Sequence, residues 1–90
     1  MEKYLYIIKF NNLYKIGWSK NPSNRIKQLT LGPSAEIIFE KPFPNISKVE
    51  KNLHHLFEEK KVSGEWFELS EEDIEQIESM SFSDLLSVDN

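Results

Sequence analysis

Between Leu13 and Arg25 the chain reads LYKIGWSKNPSNR, a short stretch holding three cations, two aromatic rings and a glycine that a plain core strand has no use for. Gly17 follows Lys15-Ile16 and precedes Trp18, with Lys20 two residues on. A missing Cβ lets a backbone or a ligand approach closely. Trp18 fits two tasks, stacking on a nucleic-acid base or capping a core. Further on, Glu50 and His54 stand one helical turn apart, a spacing at which a carboxylate and an imidazole share a metal or relay a proton. A structural account competes with that one. Ser47 and Glu50 have the spacing of a capping box, and His54 is then a polar edge residue bonded to a neighbour. His55 reads as surface.

Charge is distributed steeply along the chain. Residues 1–30 carry five Lys and one Arg against Glu2 alone, whereas residues 61–90 carry Lys61 against nine acids, within a net charge of -4. Such asymmetry fits a polyanion-facing half and an acidic tail, or two solvated ends. Ninety residues with 39% hydrophobic content suffice for one small domain with a core. The absence of cysteine removes disulfides and thiolate metal sites and suits a reducing, cytoplasmic setting. The apolar run Tyr4–Ile8 is too short for a signal-peptide core or a membrane span.

The elements that must position these residues follow from pattern. YLYIIKF and LYKIGW flank Asn11-Asn12, which predicts a β-hairpin whose turn takes positive φ. Asn21 as N-cap and Pro22 in the first turn predict a helix, with Ile26 and Leu29 inward, ending near Leu31-Gly32-Pro33. EIIFEK is a third strand stopped by prolines. A second helix starts at Ser47, with Val49, Leu53, Leu56 and Phe57 as its apolar stripe. Glu65–Leu69 is a short extended piece, and Ser70 opens an acidic third helix with Ile74 and Ile77 inward. Phe82, Leu85, Leu86 and Val88 pack as a last turn or fray. The expected fold is α+β: a small antiparallel three-stranded sheet flanked by helices, with a core over about residues 4–69 and an acidic helical tail over 70–90.

With these motifs in order, the sequence resembles the GIY-YIG nuclease superfamily, most closely its small single-domain branch of phages and bacteria. Tyr4-Leu5-Tyr6 stands at the first strand motif and Lys15-Ile16-Gly17 at the second. Arg25 follows ten residues after Lys15, Glu50 falls on a later helix, and Gly64-Glu65-Trp66-Phe67 matches the segment that closes the branch's domain. Two positions depart from the pattern: Tyr4 replaces a glycine and Lys15 a tyrosine, while Tyr14 points to the other face of a regular strand.

The resemblance implies hydrolysis of DNA phosphodiesters, with Tyr6 as general base, Arg25 clamping the scissile phosphate and Glu50 holding one Mg²⁺ or Mn²⁺. Phenols titrate near pH 10, so such a base needs a cation or metal beside it, and Lys15 across the hairpin is of the right type. Guanidinium offers a phosphate two parallel donors, and a hard cation prefers carboxylate oxygen. His54 would assist at the catalytic site. Gly17, Trp18, Ser19, Lys20 and Lys27 would contact nucleic acid. The other possibility is a module that keeps the fold with little activity and binds nucleic acid or a protein partner, alone or as a homodimer.

Overall fold

A computed structural model describes residues 2–87; Val88 lies outside the described residues. Strands β1 (Tyr4–Phe10) and β2 (Leu13–Ser19) form the expected hairpin. Asn11 alone of its pair takes positive φ, and the two-residue loop pairs Phe10 with Leu13, so Tyr6 stands opposite Gly17 and Ile8 opposite Lys15. Helix α1 (Pro22–Gln28) is capped as predicted: the Asn21 side chain accepts the Asn24 amide and Pro22 opens the first turn. It ends slightly earlier than expected, at Leu29-Thr30, where Thr30 takes positive φ. Strand β3 (Glu36–Pro42) pairs with β1 through a register shift at Ile7/Ile8.

Helix α2 (Ile46–Leu56) departs from expectation at its start. Its N-cap is Asn45 in the left-handed region, with no side-chain capping bond. Asn tolerates that conformation, and starting there buries Ile46. Ser47 therefore lies within the helix, the capping box with Glu50 is not made, and the Glu50 side chain is free for another task.

The sheet is larger than the three strands expected. After a turn of 3-10 helix at Glu58–Lys60, strands β4 (Lys61–Ser63) and β5 (Trp66–Phe67) form a second hairpin about Gly64, whose φ is positive. The order is β3-β1-β2-β5-β4, antiparallel throughout. Strand β5 is too short to show a period of two in sequence, and only its pairing with β2 reveals it. Helix α3 (Glu71–Ser79) carries a full capping box between Ser70 and Asp73, and helix α4 (Phe82–Leu86) follows.

One face of the sheet carries the core. Leu5, Ile7, Tyr14, Ile16 and Phe67 pack with Val49 and Leu53 of α2, Ile74 and Ile77 of α3 and Leu85 of α4. No α1 residue joins this cluster; α1 packs on β1, β2 and β3, and Tyr6 and Ile8, buried but outside the cluster, face its side of the sheet. The buried Asn52 of α2 donates to the Leu85 carbonyl at 2.7 Å and pins α4. Asn52→Ala strands that carbonyl, with an expected cost of about 1.5 kcal/mol in urea denaturation and faster amide exchange in α4.

Candidate active site

Tyr6 and Gly17 are one structural unit. A Cβ built on Gly17 would stand 2.6 Å from the Tyr6 hydroxyl, 2.8 Å from its Cζ and 3.1 Å from Glu65 Oε1. The space that glycine leaves is thus filled by the phenol of the opposite strand, where the sequence suggested room for a phosphate. The Tyr6 ring is buried, yet its hydroxyl makes no hydrogen bond with the described residues. No fully shielded polar side-chain atom among those residues lacks a partner. The sliver of Tyr6 that solvent reaches therefore includes its hydroxyl, which lies over Gly17 on the side of Glu65.

Lys15 lies on the same face, two residues along β2, and is 7% exposed. Its ammonium meets Glu65 Oε1 at 2.7 Å and lies 5.9 Å from the Trp66 ring. A buried lysine requires such a counter-charge. Glu65 reaches it because β5 pairs Trp66 with Lys15 and the Glu65 carbonyl accepts the Ile16 amide at 3.1 Å. Glu65, which the sequence offered only within the Gly64-Glu65-Trp66-Phe67 match and not as a site residue, belongs to the site. The available signal was Lys15 itself, a charge on a strand whose neighbours are apolar.

Beyond Ile16, β5 no longer covers the edge of β2, and α2 closes it. His54 donates Nε2–H to the Ile16 carbonyl at 2.8 Å and sets its ring edge-on to Phe67, 4.9 Å between centroids. That bond occupies His54 as an anchor for α2 and leaves Glu50, one turn earlier, half-buried toward Lys15 and Glu65. Burial raises the Glu50 carboxyl above the usual carboxylate range to about 7; the Glu65 carboxylate adds to the rise and the Lys15 ammonium opposes it.

A stability prediction follows. The folded chain holds the Glu50 proton more tightly than the unfolded chain, whose carboxyl titrates near 4.5. The stabilisation is complete below that pH and is lost as pH rises through about 7. Glu50→Gln should therefore flatten the pH dependence between these values and, with solvent screening of a half-exposed group, raise stability at pH 8 by about 1–2 kcal/mol. Urea denaturation at pH 5 and pH 8 measures it.

The remaining candidates are dispersed. Arg25 is exposed on α1 and unpaired among the described residues, as are Lys20 and Lys27. Trp18 lies against the core under Lys3, whose ammonium is 5.2 Å from the ring centroid, so of its two tasks the structure assigns the cap. Ser19 Oγ accepts the Asn21 amide and ties the turn into α1. Tyr6, Lys15, Gly17, Glu50 and Glu65 are thus gathered at one place, with Arg25 outside that cluster of contacts. Among the described residues no three His, Asp or Glu side chains form a ready cation cage, and no helix is long and apolar enough to cross a membrane.

No curated protein and no solved structure matches the chain. A family model does: the T5orf172 domain, over residues 3–80, with no match to a GIY-YIG family proper. The match runs from the first strand through α3 and takes in the hairpin, the α2 glutamate and the Gly64–Phe67 segment on which the nuclease resemblance rests. The chain belongs to the T5orf172 domain family, a phage-associated domain related to endonucleases.

Proposed function

We propose that the chain is a metal-dependent endonuclease that hydrolyses DNA phosphodiester bonds at the Tyr6 face of the sheet. The observation that carries this is the gathering of the Tyr6 hydroxyl, which has no partner among the described residues, with the Lys15 ammonium and the carboxyl groups of Glu50 and Glu65. Tyr6 serves as the base that takes a proton from the attacking water, and Lys15 places positive charge where negative charge develops. Arg25, with a free guanidinium on α1, grips a phosphate oxygen pair.

Two neighbouring carboxyl groups, one held protonated up to about neutral pH, fit a hard divalent cation, which relieves their repulsion. Glu50 would hold Mg²⁺ or Mn²⁺ with Glu65 beside it; such ions take one or two carboxylates and complete their shell with water and phosphate oxygen, so a full protein cage is not required. An ion held there would supply Lewis-acid polarisation of the phosphate and assistance to the leaving oxygen.

A second reading, a DNA-binding module without cleavage, is favoured by one feature: the Lys15–Glu65 pair satisfies its own charges where the GIY-YIG pattern has a tyrosine. Plasmid nicking separates the two. The endonuclease nicks supercoiled DNA in Mg²⁺ or Mn²⁺ and stops on chelation. An absence of nicking in either metal, together with DNA binding that weakens steeply with salt, assigns the module.

A further inference from the structure

Away from Tyr6, on the core face of the hairpin, a groove of about 340 Å³ opens between the sheet and α3. Ile38, Ile74 and Tyr14 supply its apolar and aromatic lining. Tyr14 is 8% exposed, yet its hydroxyl has no partner among the described residues and is not fully shielded. An unpaired acceptor on a buried ring therefore opens into the groove. Around the rim are Glu36, Glu71 and Glu75, all exposed and none in an ion pair among the described residues, where Lys9 is the single lining cation. The helix dipole accounts for Glu71, in the first turn of α3. It accounts for neither Glu36, on β3, nor Glu75, past that turn.

The geometry points to a binding site for an arginine side chain presented by a basic partner protein. A guanidinium carries five donors on a flat, weakly hydrated plane. The groove supplies the complement: carboxylates and a phenol oxygen as acceptors, and an aromatic and aliphatic lining for the plane and its methylene stem. Its charge repels phosphate, so nucleic acid is excluded as the occupant. The site is independent of the Tyr6 cleft, on the opposite face of the sheet, and its occupancy does not depend on cleavage.

The test is a ¹H–¹⁵N NMR titration of the full chain with the blocked peptide acetyl-Gly-Arg-Gly-amide. The amides of Tyr14, Ile38 and Ile74 should shift with a Kd on the order of 1 mM, weakening as salt is added. The citrulline peptide, equal in shape and uncharged, should leave them unmoved. Tyr14→Phe keeps the ring in the core and removes one hydrogen bond, weakening binding about fivefold; the paired change Glu36→Gln with Glu75→Gln weakens it further. Equal shifts with citrulline, or no groove shifts with ~10 mM arginine peptide, overturn the proposal. So does movement of the same amides with protein concentration alone, which would place a second copy in the groove. The citrulline and salt arms use the unaltered chain and decide the matter even if a variant fails to fold.

Discussion

Tyr6→Phe is expected to lower DNA cleavage by about 10²-fold or more while leaving the fold intact, the range that loss of a general base produces. The substitution removes only the hydroxyl, which makes no hydrogen bond with the described residues, and keeps the buried ring that fills the space over Gly17. Thermal unfolding should therefore be unchanged within about 0.5 kcal/mol, so that a fall in single-turnover rate reports chemistry and not packing. A Tyr6→Phe variant that nicks plasmid at the unaltered rate removes Tyr6 from the mechanism.

Gly17→Ala is expected to destabilise the chain by up to about 3 kcal/mol, against the gain of about 0.5–1 kcal/mol that alanine ordinarily brings to a strand interior. The clash decides the sign. The new Cβ would stand 2.6 Å from the Tyr6 hydroxyl and 2.8 Å from Cζ, with Glu65 Oε1 at 3.1 Å. A surface side chain would swing aside; the Tyr6 ring is almost wholly buried and has little space to move. Combining Gly17→Ala with Tyr6→Phe removes the nearest contact and leaves the one to Cζ, so a double-mutant cycle in urea should show partial relief. Full additivity would mean that the Tyr6 hydroxyl does not contribute to the clash.

Much of the frame is legible in the sequence because its signals are local. Asn21-Pro22 and Ser70-x-x-Asp73 set helix starts with their own side chains, and the Asn11-Asn12 loop sets the hairpin. That loop carried more information than its residue types suggest: pairing Phe10 with Leu13 places Tyr6 directly opposite Gly17, which explains the glycine without a ligand. Other features depend on tertiary pairing. The Ser47–Glu50 capping signature is a valid local pattern, but burial of Ile46 under an Asn45 cap overrides it and releases Glu50 toward the site. Glu65 reads in sequence as part of the segment that closes the domain, and only the pairing of β5 with β2 brings it to Lys15. His54 had both tasks open to it, and the Ile16 carbonyl at an otherwise uncovered strand edge assigns it the structural one.

Cleavage as proposed requires Glu50 and Glu65 to act with Lys15 and Tyr6 as one metal-assisted site. Paramagnetic Mn²⁺ added to the ¹⁵N-labelled chain measures this directly, because it broadens the amides nearest the ion. Broadening should centre on Glu50, Glu65 and Gly17 and vanish in Glu50→Gln. Broadening confined to the acidic surface of α3, with these amides sharp at saturating Mn²⁺, would contradict the account.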